Sequence, residues 1–243
     1  MTILSTVAAV VVLTAVAVVV VLGLRLERPW LQPWAILRAG VQLGILSLIL
    51  AGIIEQPWLV AAFLALMVVA ASWTTSRRLA LPLRSLGILI GVTAAASAIP
   101  VAVVFGVGAV EASPRYALAV GGIVVGNVMT VSTLFGRALR QSLVARHDEV
   151  EGWLALGASP RRSALDCVRS AGTTALVPST DQTRTTGIVT LPGAFVGSIF
   201  AGASPLAAAQ FQLVVLASIL CAGAVAVALM AAWRGAPRVL PVD

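Results

Sequence analysis

Charged residues interrupt this chain only rarely, and the stretches between them set its plan. Six runs contain no Asp, Glu, Lys or Arg: Met1 to Leu24, Ala39 to Ile54, Gln56 to Ser76, Ser85 to Val110, Tyr116 to Gly136 and Thr185 to Trp233. The second extends back to Ala35 across Arg38. A helix needs roughly 20 mostly apolar residues to cross about 30 Å of hydrocarbon. Each of the first five runs therefore predicts one crossing. The sixth holds 49 residues, too many for one span at about 1.5 Å per residue. It must fold back, and Gly202-Ala203-Ser204-Pro205 carries the turn residues for it. The pattern predicts an all-α, polytopic bundle of about seven transmembrane helices. The first run has no basic residue ahead of it and is longer than a signal-peptide core, so a retained helix is expected there.

Charge then orients the bundle. All 16 basic residues are arginine. With the N-terminus outside, 15 of the 16 fall on the inner side and Arg115 alone outside. Arg25, Arg28 and Arg38 sit at the first inner loop, Arg77, Arg78 and Arg84 at the second, and Arg234 and Arg238 in the tail. The positive-inside rule gives N-out and C-in, hence a multi-pass protein of the cytoplasmic (inner) membrane. Composition agrees: 60% of residues are hydrophobic and 10% charged, against about 25% charged in soluble domains. The net charge of +7 is spread between apolar runs, which excludes the basic surface of a nucleic-acid binder.

Polar chemistry inside the runs is sparse. Arg38 and Gln42 share one helix face. Asn127, Met129 and Thr130 lie midway along the fifth run, where an Asn most often bonds a neighbouring helix. Asp181 and Arg184 stand three apart, followed by Thr185, just before the expected sixth helix; Asp181 either pairs with Arg184 or caps that helix. Pro192 and Gly193 are expected to break it, as helices beside transport pathways often are. The candidate pathway residues are thus Gln42, Asn127, Met129, Asp181, Arg184, Thr185, Pro192 and Gly193. Glycine pairs at Gly40/Gly44, Gly87/Gly91, Gly122/Gly126 and Gly193/Gly197 predict close helix packing. Cys167 and Cys221 suggest no disulfide. The single histidine, His147, excludes an HExxH zinc site, and no P-loop sequence occurs. No catalytic residue or metal-ligand set emerges, and the chain is expected to be neither an enzyme nor a nucleotide binder.

The densest signal is the inner segment 137–184, with seven arginines among five acids. A loop this long points to function. A charged helix over Gln141 to Leu156 is expected to end at Gly157 as C′ residue. Ser159 and Pro160 would then start a second helix, giving helix, sharp turn, helix. This punctuation resembles the cytoplasmic signature of ABC-transporter permeases, with Glu151 six residues before Gly157. Further segments fall in the same order: Arg38 to Leu43, Gly126-Asn127-Val128-Met129, Leu156 to Pro160, Leu176-Val177-Pro178, Gly187 to Gly193, and Gly202 to Pro205 with Gln212. Together they resemble the FetB-type iron-export permease family, which includes plant aluminium-tolerance proteins. Thr183 to Thr186 and Ser198 depart from the enterobacterial members, and the Asp181-x-x-Arg184-Thr185 pattern looks closer to the plant-like branch.

That resemblance covers nearly the whole chain and implies one permease domain over residues 1–243. It implies a homodimer with a separate cytoplasmic ABC ATPase that binds ATP and Mg, exporting a metal ion or small metal-linked solute. The segment docking the ATPase would comprise Glu151, Leu156, Gly157, Ala158, Ser159, Pro160, Arg161 and Arg162. A channel or carrier without an ATPase is an alternative, but it would need intramembrane carboxylates as ion relays; here every acid except Asp181 lies clearly outside the apolar runs. A membrane scaffold without transport is the other.

Overall fold

Inside hydrocarbon a backbone must satisfy its own hydrogen bonds, and the apolar runs do so as helices. The computed structural model describes residues 3–25 and 29–237; the orienting Arg28 and Arg238 lie outside them. Ten α-helices follow in order: α1 (Ile3–Gly23), α2 (Leu31–Ile53), α3 (Pro57–Arg78), α4 (Leu86–Gly106), α5 (Pro114–Ala145), α6 (His147–Ala155), α7 (Pro160–Ser163), α8 (Leu165–Thr185), α9 (Gly193–Phe200) and α10 (Pro205–Arg234). Prolines open α3, α5 and α10, where a missing N–H costs nothing. The Ser113 and Ser204 hydroxyls accept the Tyr116 and Ala207 N–H groups at the starts of α5 and α10.

The chain forms two compact units, Met1–Glu55 and Gln56–Asp243. In the first, α1 packs on α2. Both expose apolar side chains on most sides, Val12, Leu13, Leu43 and Leu48 among them, as suits lipid-facing helices.

In the second unit α5 is the central element and packs against α3, α4, α8 and α10. Its buried residues Val120, Val124, Val128, Val131, Phe135, Leu139 and Leu143 recur every three or four positions, the stripe of a helix with one core face. α10 opposes it with Val215, Ile219, Ala222, Ala226 and Met230. Ser72 of α3 donates to Thr93 of α4 at 3.0 Å, a buried polar tie between two apolar helices.

Three expectations change here. Six helices among the described residues are long and apolar enough to cross a membrane, α1 to α5 and α10. The expected sixth span does not form as one helix. Its residues make a loop after α8 and then α9, eight residues long, about 12 Å at 1.5 Å per residue. The turn at Gly202 does form, with φ +94° and the paired hydrogen bonds of a Schellman end.

The segment 137–184 is also not one loop. Residues 137–145 are the last turns of α5, and the helix expected over Gln141 to Leu156 is divided between α5 and α6. α8 then runs back along α5. Cys167 Sγ lies 3.6 Å from the Ser142 carbonyl, and Asn127 Nδ2 donates to Ser179 Oγ at 2.9 Å. Residue numbers rise on α8 as they fall on α5, so the pair is antiparallel. Glycine contacts give the same direction against α10: Gly172 faces Val227 and Gly223 faces Leu176.

The third change concerns the glycine pairs. A Cβ at Gly40, Gly44, Gly87, Gly91, Gly126, Gly193 or Gly197 would meet nothing within 4 Å, and one at Gly122 would make an ordinary contact with Met67 of α3 at 3.6 Å. The close approaches occur elsewhere: a Cβ would come within 2.9 Å of Leu64 at Gly121, 2.5 Å of Leu79 at Gly136, 3.1 Å of Val227 at Gly172 and 3.2 Å of Leu176 at Gly223. Spacing within one helix does not reveal which glycine meets a neighbour.

Candidate functional site

α8 is the most polar of the long helices. Its buried face is built from small residues: Cys167, Ala171, Gly172, Ala175 and Ser179. Small side chains let α8 lie close against α5 and α10. The opposite face carries Asp166, Arg169, Ser170, Thr173, Thr174, Asp181, Gln182 and Arg184, all exposed, with exposed Val177 and Pro178 between Thr174 and Asp181. From the Cys167–Ser142 contact to the Asn127–Ser179 bond, α8 climbs twelve residues, about 18 Å. A largely polar helix face therefore rises alongside α5, interrupted by Val177 and Pro178 at the level of its midpoint and polar again at Asp181 to Arg184.

Pro178 removes an N–H from this face, so the Thr174 carbonyl loses its regular helical donor. Asn127 sits where α5, α8 and α10 meet. Its Nδ2 bonds Ser179, while its Oδ1 is buried with no partner and lies 3.7 Å from a Cβ built at Gly223. Asn127 thus bonds a neighbouring helix as expected, and half of its amide capacity stays open.

Asp181 and Arg184 pair at 4.0 Å with both side chains well exposed. The helix-capping alternative does not hold: Asp181 occupies the last turn of α8, not the start of a following helix. Carbonyls of that last turn accept from threonines instead, Thr185 Oγ1 to Asp181 at 2.9 Å and Thr186 Oγ1 to Gln182 at 2.7 Å. Thr185 therefore finishes α8 as well as belonging to its polar end. A loop with a single Thr186–Thr190 bridge follows. Pro192 then stands at the N-cap of α9 with Gly193 as its first residue, so Pro192 starts a short helix and does not break a long one. Met129 is half-buried on α5, and its carbonyl accepts from Thr133. Gln42 is exposed on α2 in the first unit.

At the break between α8 and α9 lies a cavity of about 250 Å³, walled by Thr186, Leu191, Pro192, Phe195, Gln212 and Leu216 among others. Gln212 of α10 is 6% exposed, and its Oε1 has no partner. Sequence reasoning quoted Gln212 and Thr186 in motifs but assigned them no role, and it missed Ser179 and Phe195. Only Gln212 carried a usable signal, as a lone amide in an otherwise apolar stretch.

At the far end, α6 and α7 form the expected hairpin. Gly157 has φ +88°; its N–H donates to Leu154 and that of Ala158 to Trp153, a Schellman end. Ser159 precedes α7, but its side chain makes no capping bond; its carbonyl accepts from Arg162 and Ser163. Pro160 opens α7. Glu151 lies 3.3 Å from His147. Leu156 is 82% exposed, with Trp153 and Leu154 beside it, so the hairpin tip presents apolar side chains. Arg162 is exposed. Arg161 donates to the Ala232 carbonyl at 2.9 Å, which ties the hairpin to the C-terminal turn of α10. Among the described residues no three of His, Cys, Asp and Glu come together to hold a metal ion.

The family described as "Uncharacterised protein family (UPF0014)" matches residues 3–237. UPF0014 membrane protein STAR2 of Oryza sativa subsp. japonica is 36% identical over 88% of this chain and 75% of its own. Protein ALUMINUM SENSITIVE 3 of Arabidopsis thaliana is 34% identical over 86% and 77%. Probable iron export permease protein FetB of Escherichia coli (strain K12) is 29% identical over 79% and 74%. No solved structure matches the chain.

Proposed function

Because the chain belongs to the UPF0014 family of multi-pass membrane proteins, we propose that it is the membrane-spanning permease subunit of an ABC transporter. It exports a metal ion, iron-like, or a small metal-linked solute from the cytoplasm, driven by a separate cytoplasmic ATPase that binds ATP and Mg. The name of the Escherichia coli relative supports iron export, and that of the Arabidopsis thaliana relative mentions aluminium. Residues 1–243 act as one permease domain in the cytoplasmic membrane.

The observation that carries this reading is the polar face of α8 beside α5. Exposed Asp181 and Arg184 at membrane depth cannot rest against lipid, since charged groups there face a bundle interior or a water-filled cavity. A second copy presenting the same face encloses a polar passage between two α8 helices, which makes the permease a homodimer. The cargo then passes Asp181, Arg184 and Thr185, with Asn127 behind them. In this reading α8, the following loop and α9 make one broken crossing, so the chain crosses seven times, N-out and C-in. Discontinuous helices are the usual builders of transporter sites.

The hairpin of α6 and α7 docks on the ATPase through its apolar tip, and Arg161 carries its movement to α10. Leu156→Glu tests the docking. In complexes purified with the ABC ATPase and rebuilt in proteoliposomes, this change should abolish stoichiometric ATPase association and ATP-driven transport while the permease still folds. Full association and transport by the variant would overturn the ABC reading.

A further inference from the structure

Three glycine contacts fix how α3 lies on α5. A Cβ at Gly121, Gly122 or Gly136 of α5 would meet Leu64 or Met67 of α3, or Leu79 at its C-cap. Residue numbers rise together, so the two helices run parallel, and fifteen residues on each separate the first contact from the last. Arg77 and Arg78 therefore reach the same end of the bundle as Arg137 and Arg140. Arg84 joins them from the 3-10 turn Leu83–Ser85 that leads into α4, a helix packed on both α3 and α5.

All five arginines are exposed, and among the described residues none of them forms an ion pair. Nor are they needed to finish α3. The Ser76 and Arg77 carbonyls accept the Leu81 and Ala80 N–H groups, and the Thr75 carbonyl accepts that of Leu79. Like charges gathered at one end of a bundle disfavour one another, and a bound anion removes that cost. A guanidinium fork matches a phosphate through two hydrogen bonds. A second copy of the chain would bring the same positive charge. The first unit offers no neutralising surface either, since it sets Arg25, Arg28 and Arg38 against Glu27 and Glu55.

The surface leading to the arginines says what carries the phosphate. Leu66, Val69 and Trp73 are exposed on α3 at spacings of three and four residues, and Arg77 is the next step on the same face. Apolar groups run along the helix and a tryptophan sits just before the charge. That is the order of acyl chain, interface and headgroup in a bilayer leaflet.

We propose that this end of α3, α4 and α5 binds the phosphate of an anionic phospholipid, with an acyl chain laid along Leu66, Val69 and Trp73. The proposal needs only that the chain spans a membrane and does not rest on the permease reading.

Native mass spectrometry of the full chain released from detergent tests it. The probes are dioleoyl-phosphatidylglycerol and dioleoyl-phosphatidylcholine, which share acyl chains and phosphate and differ in net charge. Phosphatidylglycerol should bind about tenfold more tightly. Arg77→Gln combined with Arg137→Gln should bring the difference below about twofold at an unchanged thermal midpoint. Arg115→Gln, at the other end of α5, should keep it. Glycerophosphoglycerol, the headgroup without chains, should not displace the lipid even in large excess. Equal binding of the two lipids, a preference that survives the double variant or is lost in Arg115→Gln, or displacement by the bare headgroup would overturn the proposal. Loss of ATPase association in the double variant, with no lipid preference in the parent, would assign the arginines to the ATPase instead.

Discussion

α8 and α10 run side by side in opposite directions, yet they join the same helix bundle by different means. α10 is a 30-residue helix with a single charged residue, Arg234, in its last turn. Hydropathy alone would place it in a bilayer. α8 is 21 residues long and carries Asp166, Arg169, Asp181 and Arg184. It lies against α5 and α10 because its hidden face is small enough to come close, while its other face stays polar. Packing into the bundle is thus a property of a helix face and its neighbours, not of a segment's average composition. A helix that is polar on one side and still packed into an apolar bundle marks the side on which water or a polar solute is expected.

The sharpest way to break this comparison is to exchange the two faces of α8. Ala175 is fully buried, and Ala175→Leu should cost about 1–3 kcal/mol through overpacking, read as a lower thermal midpoint in detergent. Thr174→Leu, one residue away on the polar face, should stay within about 0.5 kcal/mol of the parent but reduce transport. If both variants melt alike, the two faces are not distinct. A smaller effect is expected at the bond joining α5 to α8. Ser179→Ala leaves Asn127 Nδ2 without its partner and should cost about 1 kcal/mol. A double-mutant cycle with Asn127→Ala should give a coupling of about 0.6 kcal/mol; no coupling would mean that the bond does not hold the two helices.

Smaller still is the stability effect at the end of the polar face. The Asp181–Arg184 pair is exposed, and such pairs contribute about 0–1 kcal/mol. Asp181→Ala should therefore shift unfolding by less than about 0.5 kcal/mol and still lower transport in proteoliposomes. A large loss of stability with normal transport would make the pair structural. The smallest expected effect is local. Arg161→Gln removes the hydrogen bond to Ala232 and should speed amide exchange at the last turn of α10, with the rest of that helix unchanged. Unchanged exchange there would separate the hairpin from α10.

Five of the runs were legible as spans because uninterrupted apolar sequence has few other uses, and α1 to α5 follow them. The hairpin was legible too: Gly157 takes the left-handed backbone that favours glycine, and Pro160 opens the next helix. Asp181 beside Arg184 could be read from their spacing. α8 could not be read. Its small residues average to a polar segment, and nothing in the order of residues says that Gly172 will meet Val227 or Ser179 will meet Asn127. The same blindness hid the glycines that matter, since a small residue is informative only when another helix stands opposite.

The sequence by itself determined that this is a helical membrane protein with an exposed hairpin, because hydropathy, arginine placement and turn residues act locally along the chain. Tertiary structure alone decided that the expected sixth span is a short helix after a loop, and that a polar helix climbs beside α5. It also decided that the Asn127 and Gln212 oxygens are left without partners. Those features depend on which surfaces meet, and the energy of that meeting is shared between segments far apart in sequence.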